Sequence, residues 1–258
     1  MLAVLALPVC GQDVWMKTAT IVDGGHRLDR DTTGKMTTLP ASLTNGLVMW
    51  QAFSFNDGVN GYDLSPVGND CTATNANTTP SFSTVSGGVR DFDGVDDYFA
   101  AGSAPIISKD NTHTVAAWFK TDTVSAYQYI YGEDVNGSGS YFKVRVDAGA
   151  TLRYSLFNGV WIALNTPTLT TNTWYHVAGT MHSSSGMKLY LNGIQVDTDA
   201  ATTATPVAID HAYIGCYTGT GSCTGFDHFF NGEIDEVMLW SRTLSSNEVF
   251  TLYSRGRP

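Results

Sequence analysis

The chain has 258 residues, 43% of them hydrophobic and 15% charged, with a formal net charge of -10. That is enough apolar material for one large β domain or two small ones. The acidity excludes a phosphate backbone as partner, and it disfavours anionic polysaccharides and anionic membranes unless a bound cation reverses the sign locally. Neutral glycans, cations and proteins remain as partners.

The amino terminus, "MLAVLALPVCGQ", resembles a secretory leader, but it lacks a basic n-region and Pro8 interrupts its apolar core. "LPVC" resembles a lipoprotein cleavage box with Val9 where a small residue is wanted. Residues 17–43 are polar, turn-rich and short of periodic apolar positions, so residues 1–45 are expected to form an extended N-terminal arm suited to an assembly contact. Composition changes at Thr44-Asn45-Gly46, and residues 46–258 form the predicted domain. No apolar run reaches the length of about 18 residues that a membrane-spanning helix needs.

From there strand signals recur: "LVMWQAF", "HTVAAWFK", "YQYIYG", "YFKVRV", "TLRYSLF", "WYHVAGTM", "MKLYLNG", "AYIGCY" and "EIDEVMLW". In "YFKVRVDA", Phe142, Val144 and Val146 face one way while Lys143, Arg145 and Asp147 face the other, the period of a half-buried strand. Asn192-Gly193 lies between two such runs and predicts a tight hairpin, because both turn positions tolerate positive φ. Near the C-terminus Ser245 and Glu248 stand at capping-box spacing, with Leu244 and Val249 placed for a hydrophobic staple. The predicted fold is all-β: a two-sheet antiparallel jelly-roll β-sandwich with a short C-terminal helix and an extended N-terminal arm.

Four cysteines with no C-x-x-C pair make neither a dense disulfide scaffold nor a zinc site. Cys216 and Cys223 flank "YTGTGS", whose glycines and small polar residues let the chain turn back, so a disulfide is expected there and with it an oxidising compartment. Cys10 and Cys71 are left either paired or reduced. "RDFDGVDDYF" superficially suggests an EF-hand, but Gly102 occupies the position of the required glutamate. A turn at Asp93-Gly94 with Phe92, Tyr98 and Phe99 packing inward is the preferred reading, and a cation site around Asp96 and Asp97 is the alternative. The dispersed histidines show no metal-binding spacing, and no G-x-S-x-G elbow arms a serine.

"VRDFDGVDDYFAAG", "HTVAAWFKTD", "NTWYHVAGTMHSSSGMKLYLNGIQV" and "FNGEIDEVMLWSRTLSSNEVFTLY" resemble, in order and wording, laminin-G-like domains of the concanavalin A-like lectin/glucanase superfamily. The resemblance covers roughly residues 46–258. It implies a jelly roll used as a recognition module on extracellular or surface proteins, often with one structural calcium. By the same resemblance, Asp235 of "IDEV" joins the loop "GYDLSPVGNDC", which makes Asp63, Asn69, Asp70 and Asp235 the calcium candidates. Asn56 stands where relatives often carry an acid.

Some glycosidases of the superfamily carry a motif of Glu, aliphatic, Asp, one or two residues, then Glu, and Glu233-Ile234-Asp235 begins it. Retaining hydrolysis needs two carboxyl groups about 5 to 5.5 Å apart. The second position holds Val237 or Met238, and Glu236 in a regular strand points to the opposite face, so the chain is read as non-catalytic. Sugars stack on aromatic faces, which makes "SAYQYIYG", "FNGVWIALN" and "GFDHFFNG" the candidate ligand stretches. Their candidates are Tyr127, Tyr129, Tyr131, Trp161, Phe226 and Phe229. The expectation is a recognition module for a glycan or protein, outside the cell or on a surface. The alternatives are a virion decoration or tail protein that uses the N-terminal arm for self-assembly or a capsid contact, and a glycan-cleaving enzyme.

Overall fold

Alternating apolar and polar side chains decide which way each strand faces, and the computed structural model follows that alternation. It describes residues 20–22, 26–28, 39–51, 53, 60–61, 63–73, 81–83, 89–101, 112–135, 139–157, 159–201, 211–217, 223 and 228–255. The chain divides into two compact units, Met1–Asn45 and Gly46–Pro258. In the first, β1 (Thr20–Val22) pairs antiparallel with β2 (His26–Leu28), and a single helical turn, α1 (Ala41–Thr44), follows. The arm expected to be extended therefore contains a short antiparallel pair.

The second unit is a two-sheet sandwich. One sheet runs β16 (Ile194–Asp199), β15 (Gly186–Leu191), β14 (Trp174–His182), β9 (His113–Thr121), β18 (Asn231–Trp240), β7 (Val89–Asp93) and β6 (Ser81–Ser83), with β3 (Leu47–Gln51) also paired to β18. The other runs β13 (Trp161–Asn165), β12 (Thr151–Phe157), β11 (Gly139–Asp147), β10 (Gln128–Val135), β17 (His211–Ile214), β8 (Phe99–Ala100), β5 (Cys71–Ala73) and β4 (Asn60–Gly61). Every named strand pairing is antiparallel, as expected for a jelly roll.

Between the sheets lies one core. Val115, Phe119, Val177 and Leu189 of the first sheet meet Phe142, Val144, Leu152 and Tyr154 of the second. Gly179 lies tight against the opposite sheet, where an added Cβ would fall 2.8 Å from the Tyr154 ring. The Asn192-Gly193 hairpin forms with φ of 51° and 77°, the pair of left-handed residues that a type I′ turn requires. α2 (Ser246–Ser254) carries the full capping box: the Ser245 hydroxyl accepts from the Glu248 amide, and the Glu248 carboxylate accepts from the Ser245 amide. Leu244 and Val249, the expected staple, are both buried.

Candidate functional site

β11 builds the site by alternation. Phe142, Val144 and Val146 enter the core, so Lys143, Arg145 and Asp147 emerge together on the outer face of the second sheet. Register then brings β10 and β12 alongside: Tyr129 lies opposite Arg145, Arg153 opposite Arg145 and Ser155 opposite Lys143. Trp161 rises from the terminal strand β13, and Tyr217 follows β17.

These side chains form one aromatic and cationic surface. The Lys143 ammonium sits 3.8 Å from the centroid of the Trp161 ring, 4.8 Å from Tyr217 and 5.7 Å from Tyr129. Tyr129 stacks on Tyr217 at 4.5 Å, and the His228 ring packs on both Tyr127 and Tyr129. The Arg145 guanidinium lies over Tyr127 at 4.5 Å and donates to the Tyr129 hydroxyl at 3.0 Å. Asp147 receives Arg145 at 2.5 Å and Arg153 at 2.8 Å.

Two of the three cations thus share a single carboxylate, and Lys143 has no acid within ion-pair reach among the described residues, on a chain that is acidic overall. Burial, followed by the neighbouring charges of Arg145 and Arg153, pushes the Lys143 ammonium down to about 8. Burial likewise pushes the Tyr129 hydroxyl up to about 12. Trp161 remains 44% exposed and Tyr127 42%, so two ring faces meet solvent at the border of an otherwise packed cluster.

Of the six aromatic candidates, the structure brings Tyr127, Tyr129 and Trp161 into this surface. Tyr131 does not belong to it. A β-bulge between Tyr129 and Tyr131 shifts the parity of β10, so both Ile130 and Tyr131 enter the core, where the Tyr131 hydroxyl donates to buried Glu133 at 2.9 Å. Phe229 packs beside Tyr98, Tyr213, Cys216 and Cys223 in a separate cluster. Phe226 lies outside the described residues, as do Asn56 and Cys10. Cys216 and Cys223 are disulfide-bonded, and Cys71 is a buried free thiol whose titration burial pushes well up.

Sequence reasoning did not single out Lys143, Arg145, Arg153, Tyr217 or His228 as ligand-facing. The signal for the first two was already present in the alternation of "YFKVRVDA". Tyr217 and His228 reach the surface through tertiary structure alone.

Of the calcium candidates, Asp63, Asn69 and Asp70 share one hydrogen-bonded turn. Asp63 accepts from the Trp50 and Ser65 amides at 2.7 and 2.8 Å, and from the Ser65 hydroxyl and the Asn69 amide at 2.6 Å. Four donors saturate the lone pairs a carboxylate can offer. Asp70 accepts the Asp63 amide, and the Asn69 side chain donates to the Val48 carbonyl. Asp235, buried on β18, accepts from the Glu236 amide. As arranged, this set does not fit a calcium cage. Among the described residues the acids that do converge are Asp93, Asp96 and Asp97, with ligand atoms within 4.8 Å of one another. There Asp93 accepts the Val95 amide and Asp97 accepts the Asp93 amide, so the expected turn is present, with Phe92, Tyr98 and Phe99 buried beside it.

The carboxylates of β18 also depart from the regular-strand expectation. A bulge against β9 follows Asp235, and Glu236 adopts φ 51°. Glu236 is thereby turned onto the Trp50 indole, which donates to it, on the face of the sheet away from the core. Glu233 is ion-paired with Lys120. His113 and His176 are buried, and burial pushes both down to about 3.

With this geometry in hand, comparison with known proteins is informative. The model of the concanavalin A-like lectin/glucanases superfamily, in its laminin G form, matches residues 93–250. No curated protein matches the chain. Among solved structures, the binding domain of botulinum neurotoxin serotype D is 16% identical, with a TM-score of 0.63 over 82% of this chain and 52% of that one. Botulinum neurotoxin type C, whose cell entry depends on interaction with two ganglioside molecules, is 14% identical with a TM-score of 0.64, over 83% of this chain and 52% of that one. Trypanosoma rangeli sialidase, solved with a difluoro sugar-acid derivative, is 19% identical with a TM-score of 0.59, over 91% of this chain and 36% of that one. The chain thus spans about half the length of the toxin structures and about a third of the sialidase. At these identities the likeness is one of fold.

Proposed function

The chain belongs to the concanavalin A-like lectin/glucanases superfamily, and from that premise we propose that it is a non-catalytic carbohydrate-binding module acting on a surface or outside the cell. The ligand rests on the outer face of β10, β11, β12 and β13. One observation carries this reading: the exposed rings of Trp161 and Tyr127 border a packed group of aromatic and charged side chains held by one sheet. Sugar rings stack on such faces while neighbouring donors bind hydroxyls, and a preassembled platform loses little entropy on binding. The ganglioside interaction of the type C neurotoxin and the sugar derivative in the sialidase structure lend support, since both folds are similar to this one. The Cys216–Cys223 disulfide supports an oxidising location.

The non-catalytic part rests on β18. Glu233 is engaged by Lys120 and Glu236 by Trp50, so neither carboxyl stands ready to protonate a leaving group. The experiment is a glycan array probed with wild-type protein, Trp161→Ala and Tyr127→Ala, with thermal melts as a folding control. The wild type is expected to bind at least one glycan and each variant to bind it about tenfold more weakly with the fold intact. An array on which the wild type binds nothing removes the proposal.

A further inference from the structure

Lys143 is 7% exposed, and no carboxylate among the described residues lies within ion-pair reach of its ammonium. Its contacts are the ring faces of Trp161, Tyr217 and Tyr129. Aromatic faces attract a cation, but they do not replace the three hydrogen bonds an ammonium makes in water. Directly opposite on β12, Ser155 is 2% exposed and its Oγ has no hydrogen-bond partner among the described residues. A hydroxyl without a partner and an ammonium met by ring faces therefore sit side by side on the outer face, beneath a tryptophan that stands on the terminal strand of the sheet.

We propose that Lys143 and Ser155 form an anchoring subsite for the acidic group of a charged sugar, whose ring lies on Trp161. An anionic oxygen, from a carboxylate or a sulfate ester, would accept from the ammonium and from the hydroxyl and so satisfy both groups at once. Arg145 and Arg153 add positive potential, tempered by Asp147, to which both are bonded. This inference rests on the carbohydrate-binding reading and narrows its ligand to an acidic glycan, against what the net charge of -10 suggests. Net charge describes the whole surface, whereas binding follows the local field.

The anchor carries a pH signature. The charged and titratable groups that face it are Arg145 and Asp147 on its own strand, Arg153 on β12, Tyr129 on β10 and Tyr217 after β17, with His228 behind Tyr129. With Lys143 held down to about 8, affinity for an acidic sugar falls as pH rises through that value, well before an ordinary lysine would lose its proton.

The test is an array that carries neutral sugars beside their uronate and sulfate-ester counterparts, followed by titration of full-length protein with the best acidic sugar and its neutral form. A uronate is paired with its methyl ester, a sulfate with the unsulfated sugar. At about pH 6.5 the acidic form is expected to bind about tenfold more tightly, and at about pH 9.5 the preference is expected to vanish. Lys143→Met, which refills the cage with an apolar side chain, and Ser155→Ala are each expected to remove the preference, read as the ratio of acidic to neutral affinity within each variant. The uronate and sulfate arms distinguish the two sources of negative charge. Equal affinity for acidic and neutral forms, or a preference that survives both substitutions, overturns the anchor while the module stands. Failure of the wild type to bind any sugar overturns the underlying reading as well.

Discussion

Tyr129 lies face to face with Tyr217, ring centroids 4.5 Å apart, joining β10 to the segment that follows β17. The pair forms two walls of the space around the Lys143 ammonium, and the Tyr129 hydroxyl is fixed by the Arg145 guanidinium. Removing the Tyr217 ring is expected to release Tyr129 and widen the cage. Tyr217→Ala should weaken glycan binding about tenfold and lower stability by roughly 1 to 2 kcal/mol, the scale of one lost aromatic contact plus partial burial. Calorimetric titration beside a denaturant melt checks both. Unchanged affinity would show that Trp161 and Tyr127 bind sugar without support from this stack.

Asp63 provides a test of whether an ion organises the loop. Its carboxylate receives four protein donors, which pin the 63–70 turn to β3. Asp63→Asn keeps the shape but replaces acceptor capacity with donors, and should cost about 2 to 3 kcal/mol, the range of a lost charged hydrogen bond with its partners left buried. The loss should be equal in calcium and in chelator. A loss confined to calcium-containing buffer would place an ion at Asp63 after all.

Gly179 sits on β14 directly against a ring of the opposite sheet. Its missing side chain leaves room for the Tyr154 ring, which packs within the core and whose hydroxyl pairs with the His113 ring at 2.8 Å. A methyl group there must displace an aromatic ring that is buried on all sides. Gly179→Ala is expected to destabilise by about 1 to 3 kcal/mol through overpacking, although alanine normally favours a strand over glycine. A neutral or stabilising result in chemical denaturation would mean that the sheets separate without cost.

How much of this was legible beforehand follows from the physics of each element. The strands and the Asn192-Gly193 turn were readable because period-2 alternation and positive φ are local properties. The α2 cap was readable because Ser245 and Glu248 are three residues apart. The proposed ligand face was only partly readable. Tyr127, Tyr129 and Trp161 were singled out and lie together on it, but the bulge that sends Tyr131 inward shows itself only in pairing with β11, and the bulge that turns Glu236 to Trp50 only in pairing with β9. The convergence of Lys143 with Tyr217 joins strands far apart in sequence, which no window of residues can display.

The response to acid follows from buried side chains of opposite sign. Burial holds His113 and His176 neutral in the fold down to about pH 3, whereas in the unfolded chain each takes up a proton near its ordinary value of about 6.5. The unfolded state therefore binds up to two more protons across this window, and stability falls as pH drops from about 6.5 toward 3. Glu248 works in the same direction. Although burial alone would raise it, its hydrogen bonds with Arg242 and Ser245 hold it down to about 2, so its contribution is present above the usual glutamate range and is lost below it. Asp97 opposes both: burial pushes its carboxyl up to about 6, so the fold prefers it protonated and its contribution is lost as pH rises from about 4 to 6. Denaturant melts between about pH 3 and 8 should show a maximum above pH 6, with an acid slope near the roughly 1.4 kcal/mol per pH unit of a single proton between about pH 4.5 and 6, where Asp97 offsets one histidine, and a steeper slope below about pH 4. His176→Gln should flatten part of that slope. An acid limb that is unchanged in this variant would assign the protons elsewhere.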